Sequence, residues 1–318
     1  MNTVLDLSIV FATCKRPDTL RPMLDRMCAL NTRGISWEIL VVDNANDQET
    51  RTLVENYTQR LPILYSIETR PGKNFALNSV IDRVKGELVV FTDDDILPDV
   101  DWLQEVKSGA ARWPACDVFG GRILPHLPDP HEKIRYEDSF FVRCAYVIAD
   151  WDLPEGFYPE VQENGSVWGP NMVIRRRVFD EGYRFNTSIG PSGKDYIMGS
   201  ETELTGRLFK AGMKAVYLPK GLVYHQIRKE QLDYCWLCDR FYRFGRGAAY
   251  KSREINAVYW FGVPRYLFKS LAIMWIGLLL AGPVRDVFRR RYLEYQFLRG
   301  QIDQFRLHHR SGIEPASR

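Results

Sequence analysis

From Leu7 to Arg112 the chain alternates short apolar β-type runs with stretches of helical periodicity, and that alternation limits the possible folds more than any other feature. Leu7–Ala12, Ile39–Val42, Ile63–Ile67 and Leu88–Thr92 read as strands. Pro17 to about Leu30, Gln48–Tyr57, Phe75–Val84 and Trp102–Arg112 read as helices, with Pro17 suited to a first turn. Such a series predicts an α/β fold: right-handed βαβ units forming a Rossmann-like, mainly parallel sheet flanked by helices. Ligands of such sheets bind beyond the carboxyl ends of the strands. Thr13, Asp43, Arg70 and Asp93-Asp94-Asp95 all follow predicted strands, so they should gather on one edge.

Beyond Ala115 the pattern loosens. Ala115 to about Tyr158 is rich in Pro and aromatic residues and reads as an antiparallel or loop-rich, substrate-facing half. Val173–Phe179 reads as regular structure, Thr202–Ala211 as a helix stopped at Gly212, and Ala215–Leu218 and Leu222–Tyr224 as two short strands. The expected division is a body over 1–250, with a nucleotide-binding half (1–120) and an acceptor half (121–250), and a helical extension over 251–318.

Charge separates the same regions. The chain carries 43 Lys+Arg and 40 Asp+Glu, a net charge of +3, which excludes a generic nucleic-acid coat. From Asp239 onward, however, there are 15 basic and 6 acidic residues. This tail holds an apolar run from Leu271 to Val284, preceded by Arg265 and Lys269 and followed by Arg285, Arg289, Arg290 and Arg291. The run is shorter than the roughly 20 residues that span a bilayer. Apolar sequence bracketed by cations suits the surface of an anionic leaflet; burial against the body or another subunit is the alternative. The start, MNTVLDLSIVF, has no basic n-region or long apolar core, so a cytoplasmic body on the inner face of the membrane is expected. Six scattered cysteines suggest no disulfide framework, and the lone Cys235-x-x-Cys238 pair lacks the further ligands of a zinc site.

The sharpest chemical signal is an apolar strand that runs into three adjacent carboxylates, Leu88-Val89-Val90-Phe91-Thr92-Asp93-Asp94-Asp95. Crowded carboxylates repel or take up protons unless a counter-charge is present. A hard divalent cation shared with a diphosphate removes the conflict, because Mg²⁺ takes one or two carboxylates and fills its remaining positions with water and phosphate oxygens. An acidic helix cap ahead of Trp102 is the plainer reading.

These residues resemble a family 2 glycosyltransferase with the A-type nucleotide-sugar (GT-A) fold, over roughly residues 6–250. The opening Ser8 to Pro17 is similar to the family's first strand and turn, which implies that Thr13 and Arg16 border the nucleotide. Val41-Val42-Asp43-Asn44 resembles the second strand, whose Asp meets the nucleobase; uracil and guanine both offer a suitable N–H. Arg70-Pro71-Gly72-Lys73-Asn74 resembles the nucleotide and phosphate side. The resemblance places Asp93 near the ribose, Asp94 beside it, and Asp95 on Mn²⁺ or Mg²⁺. Trp168-Gly169-Pro170-Asn171 resembles the strand below the acceptor, implicating Trp168 and Asn171. Gly199-Ser200-Glu201-Thr202-Glu203-Leu204 with Arg207 is similar to the family's G-E-D-x-D-L-x-x-R, which puts Glu201 at the catalytic base and Ser200 where the family has an acid. His225 aligns with the late metal or diphosphate His, and Arg228, Arg243 and Arg246 follow it as candidates to meet phosphate oxygens.

The implied activity is metal-dependent, inverting transfer of a sugar from a nucleotide-sugar, UDP-sugar favoured, to a hydroxyl acceptor. A glycan or lipid-linked acceptor of envelope or exopolysaccharide synthesis is expected. Two rivals stand beside it: a haloacid-dehalogenase-type phosphotransferase and a non-catalytic nucleotide- or glycan-binding protein at a membrane. Gly190-Pro191-Ser192-Gly193-Lys194 has the wrong Gly spacing for a phosphate loop and reads as a mobile acceptor-side loop. No G-x-G-x-x-G follows the first strand, which argues against dinucleotide chemistry.

Overall fold

The computed structural model describes residues 4–158, 167–193, 196–252, 257–282 and 284–310. Expected and observed elements agree closely at the start: β1 (Leu5–Thr13), α1 (Pro17–Met27), β2 (Trp37–Asp43), α2 (Gln48–Glu55) and β3 (Ile63–Ile67). The predicted Phe75–Val84 helix is instead α3 (Lys73–Asn78) followed by a separate 3₁₀ turn, Ile81–Arg83. Next come β4 (Gly86–Phe91), β5 (Ile96–Pro98) and α4 (Trp102–Arg112). The region read as irregular contains β6 (Val118–His126), α5 (Phe140–Ala145) and β7 (Gly156–Phe157). β8 (Met172–Arg175), α6 (Arg176–Asp180), α7 (Ser200–Lys210) and β9 (Ala215–Gln226) follow. The last elements are α8 (Tyr234–Lys251), β10 (Tyr259–Trp260), β11 (Val263–Pro264), α9 (Arg265–Ala281) and α10 (Arg285–Arg310).

The main sheet runs β3-β2-β1-β4-β8-β6-β9-β5, with β7 against β9. β3, β2, β1 and β4 are parallel, so their carboxyl ends share one edge. β8 then runs antiparallel between β4 and β6, while β6 and β9 are parallel. Strand alternation gives two cores. Ile9 and Phe11 pack with Met23, Leu24, Trp102 and Leu103 on one face. Val10, Val42, Val89 and Phe91 pack with Leu77, Phe179, Leu204 and Leu208 on the other.

β6, which pairs antiparallel with β8, looks loop-like in sequence for a physical reason. Its Gly120-Gly121 pair and Pro125 look like loop residues, yet a Cβ on Gly121 would lie 2.1 Å from Asn171 Nδ2 and 2.3 Å from the Gly221 carbonyl. Glycine serves close packing at the centre of the sheet here, not a turn. Likewise the two short strands expected after Ala215 are one strand, β9, interrupted where Gly121 and Arg122 pair with Leu218 and Leu222 and leave Pro219-Lys220-Gly221 as an irregularity.

The chain forms two compact units that differ from the expected division. The first comprises 1–130, 146–194 and 200–227; the second comprises 131–145, 195–199 and 228–318. The break falls at Ile227/Arg228, ahead of α8, because α8 packs lengthwise on α10. Ala249, Val263, Leu267, Leu298, Ile302 and Phe305 form the second unit's core.

Candidate active site

Strand register assembles the site within the first unit. Thr13 lies opposite Asp43, and Val10 opposite Phe91, which places the ends of β1, β2 and β4 side by side. β8 pairs Met172 with Phe91, so the preceding Gly169–Asn171 turn reaches the same edge, and Thr92 Oγ1 donates to the Pro170 carbonyl at 2.7 Å. β5 and β9 pair Ile96 with His225, which brings the imidazole beside Asp95.

The three aspartates hold different partners. Thr13 Oγ1 donates to Asp94 Oδ2 at 2.8 Å. Arg16 Nη1 spans two carboxylates, 3.2 Å from Asp94 Oδ1 and 3.3 Å from Asp95 Oδ2. Lys73 Nζ lies 2.5 Å from Asp93 Oδ1 and 2.8 Å from Glu201 Oε1. The trio therefore carries counter-charges of its own, which corrects the expectation that a cation and diphosphate alone relieve its crowding. Relief is incomplete: burial and the neighbouring Asp95 push the Asp94 carboxyl up to about 6, against Arg16 and the Thr13 hydroxyl.

Lys73 joins the trio to Glu201. Burial would lower its pKa, but Asp93 and Glu201 outweigh burial and hold it firmly protonated. Burial would raise the Glu201 carboxyl; Lys73 outweighs this and holds it below its ordinary value. Glu201 sits in the first turn of α7, where the helix dipole favours an anion. Ser200 Oγ donates to Glu201 Oε2 at 3.2 Å, so the residue in place of the family's second acid acts as a hydrogen-bond donor. Gly169 makes room: a Cβ there would lie 2.5 Å from Glu201 Oε1. The turn 190–193 backs this segment, with the Pro191 carbonyl accepting from Lys73 N at 2.9 Å and Ser192 Oγ donating to the Pro71 carbonyl. Lys194 lies outside the described residues.

Asp95 and His225 form a donor pair suited to a divalent cation. His225 Nδ1 lies 2.9 Å from the Tyr146 carbonyl, which only accepts, so Nδ1 carries the proton. Nε2 then faces Asp95 Oδ1 at 3.4 Å. Two acceptors face to face call for a proton or a cation between them, and an imidazole–carboxylate set suits the softer Mn²⁺ better than Mg²⁺, which takes oxygen ligands. Burial would lower the His225 pKa; Asp95 outweighs it and raises it. Among the described residues no three metal-donor side chains converge, so two protein ligands would leave positions for phosphate and water.

Several expected contacts differ. Asp43 is wholly buried, with Oδ1 accepting from Ala45 N (2.8 Å) and Oδ2 from Asp47 N (2.7 Å) and Tyr65 Oη (2.6 Å). It presents no surface to a base; it shapes the turn after β2. Burial and Asp43 together push the Tyr65 hydroxyl up to about 12. Arg70 forms an exposed fork with Glu68 (2.6 and 3.0 Å) and lies over the Phe75 ring. Asn171 is buried and bridges elements instead of facing an acceptor: Nδ2 donates to the Arg122 and Gly221 carbonyls, and Oδ1 accepts from Trp102 Nε1. Trp168 is half-buried against Trp151. Arg228 and Arg246 belong to the second unit, where Arg228 Nε bonds Glu230 and buried Arg246 Nε bonds Gln304. Two contributors escaped the sequence reading, Gly169 as the space behind Glu201 and Asn44 as a clamp. Asn44 donates to the Glu68 and Arg70 carbonyls and accepts from Gly72 N, which fixes the loop before Lys73.

The pattern of Glycosyl transferase family 2 matches residues 8–182, more than half of the chain. The chain belongs to family 2 of the glycosyltransferases. It is similar to the glucosyl-dolichyl phosphate glucuronosyltransferase of Haloferax volcanii, 21% identical over 70% of this chain and 68% of the relative. It is also similar to the succinoglycan biosynthesis protein ExoM of Rhizobium meliloti, 26% identical over 77% of this chain and 74% of the relative. Among solved structures, the mannosyltransferase PcManGT of Pyrobaculum calidifontis, in complex with GDP-Man and Mn²⁺, superposes with a TM-score of 0.62. That match has 18% identity and covers 96% of this chain and 87% of the other. TarS of S. aureus in complex with UDP gives a TM-score of 0.54 at 14% identity, covering 97% and 92%. These superpositions show the GT-A fold. The chain is a glycosyltransferase, and neither rival reading finds support among the relatives.

Proposed function

We propose that this glycosyltransferase is metal-dependent and inverting, and moves a sugar from a nucleoside diphosphate sugar to the hydroxyl of a glycan or lipid-linked acceptor in envelope or exopolysaccharide synthesis. One observation carries the reading: a single part-buried lysine, Lys73, joins the carboxylate trio after β4 to Glu201 on α7. Donor-side and acceptor-side groups are thereby linked in one ionic chain.

Asp95 and His225 would hold the cation, which when bound supplies positive charge to the leaving diphosphate. Mn²⁺ in the PcManGT complex supports this choice of cofactor. Arg16, with its head about half exposed at 47%, is free to turn from Asp94 and Asp95 toward phosphate oxygens. Asp93 would border the ribose. Glu201 takes the proton from the acceptor oxygen as that oxygen attacks the anomeric carbon in line, opposite the departing diphosphate, and a single displacement inverts the carbon. Lys73 and Ser200 keep Glu201 ionised and oriented. Trp168 Nε1, a buried N–H with no partner among the described residues, is a donor on the acceptor side.

With Asp43 buried, UDP preference rests on the family resemblance, and solved neighbours bind both GDP-Man and UDP-GlcNAc. The basic, apolar tail supports a cytoplasmic enzyme held peripherally on the inner face of the cell membrane. A thermal-shift panel of UDP- and GDP-sugars with and without Mn²⁺ tests the donor site, because ligands of the folded state raise its apparent stability. A shift for a nucleotide-sugar that requires Mn²⁺ is expected; equal shifts without metal would remove the metal from the reading.

A further inference from the structure

We propose that the tip of the β10–β11 hairpin and the outer face of α9 form one surface that docks on an anionic lipid bilayer. The inference deepens the inner-membrane placement above and names the residues that make the contact. The hairpin pairs Tyr259 with Pro264 and Trp260 with Val263. At its turn Phe261 is 87% exposed and holds a φ of 50°, a conformation bulky residues seldom take. Val258 and Trp260 beside it are exposed as well.

The apolar surface continues along α9. Ala272, Ile273, Ile276 and Leu280 follow one another at helical spacing after Lys269, and all are exposed. Leu279 and Leu280 are 77% and 80% exposed. The opposite face, with Leu267, Leu278 and Ala281, is buried. Val284, Val287 and Phe288 carry the exposed apolar surface into the start of α10. Isolated exposed apolar residues are ordinary; a continuous strip of this kind marks a contact surface.

Charge selects the occupant. Between Arg265 and Arg291 the chain has six basic residues and one acid, Asp286. Arg265 stacks over Trp260, with its guanidinium 4.7 Å from the ring centroid. Cations and indole rings together suit the headgroup layer of a bilayer. A second copy docking through a two-fold axis would set the same patch against itself, cation against cation. An anionic leaflet meets those cations with opposite charge. At 17 residues α9 falls below the roughly 20 needed to span a bilayer, and no described helix is long and apolar enough to cross one. An amphipathic helix of this kind lies in the plane of the interface with its apolar face among the acyl chains.

The experiment is vesicle flotation of the full chain with phosphatidylcholine alone and with phosphatidylglycerol added, alongside light scattering. The full chain is expected to float with anionic vesicles, much less with neutral ones, and less as salt is raised. Ile276→Asp combined with Leu280→Asp should reduce binding by roughly tenfold or more, and Phe261→Asp by a few-fold, because each buries a charge among acyl chains. These positions are exposed, so unchanged melting temperature is expected and confirms folding. Undiminished flotation of the double variant, equal binding to neutral vesicles, or a dimer that the double variant dissolves would overturn the proposal. Mn²⁺-dependent UDP binding is measured on the same samples: its loss in the wild type would strike the catalytic reading alone, and lost flotation with UDP binding intact would strike this surface alone.

Discussion

Two strands of the same sheet edge lead into aspartate, and they use it in opposite ways. Asp43, after β2, has both oxygens engaged by two backbone N–H groups and one phenol, all close in the fold, and it has no exposed surface. Asp93–Asp95, after β4, are held by long cationic side chains from α3 and the β1–α1 turn, and one of those heads is half in solvent. Backbone donors cannot leave, so Asp43 fits a scaffold role. Side-chain cations can turn away to a ligand, most readily the half-exposed Arg16, so in the proposed function the trio is the binding site and holds its own counter-charges in reserve. The type of partner, more than the aspartate itself, separates a scaffold carboxylate from a working one.

Four experiments break or sharpen that contrast. The largest effect is expected from Glu201→Gln, which should slow transfer by about 10²–10⁴-fold with nucleotide affinity intact. Equal loss of turnover and calorimetric UDP affinity would make Glu201 structural, on the Asp43 side of the comparison. Asp95→Ala should abolish the Mn²⁺-dependent part of nucleotide binding in the same titration, and an unchanged response to Mn²⁺ would move the metal elsewhere.

The third tests Lys73 through pH. Wild-type Glu201 is held below the ordinary glutamate value, so it stays ionised and active until pH falls through that lowered value, and activity is lost only below it. Lys73→Met removes the main opposing charge and leaves burial, which raises the carboxyl. The acid limb of kcat/KM should therefore move to higher pH. A limb that stays in place while activity merely falls would reduce Lys73 to packing. The smallest effect belongs to the scaffold: Tyr65→Phe removes one hydrogen bond to a buried carboxylate and should cost about 1.5–3 kcal/mol in urea unfolding, with UDP affinity unchanged. A changed choice between UDP and GDP in that variant would return Asp43 to the nucleotide.

Much of this arrangement was legible in the sequence because it is local. Strand periodicity into Asp93-Asp94-Asp95 fixed the edge, and α4 was bounded as found at Trp102–Arg112. The family resemblance, aligned through Leu204 and Arg207, singled out Glu201, and the structure sets that residue 2.8 Å from Lys73. The misses share a cause, since each depends on a contact distant in sequence. β6 was hidden by glycines whose reason is Asn171, and Asn171 looked like a ligand because its backbone partners, Arg122 and Gly221, lie 49 and 50 residues away. The Lys73–Glu201 link spans 128 residues. No local pattern announces that link; only the assembled sheet does.

Manganese anomalous scattering from crystals grown with Mn²⁺ and UDP tests the central claim most directly. A peak bound by Asp95 and His225, with Arg16 turned from the carboxylates toward the diphosphate, is the predicted result. A nucleotide bound with no manganese between Asp95 and His225, and Arg16 still on Asp94 and Asp95, would contradict it.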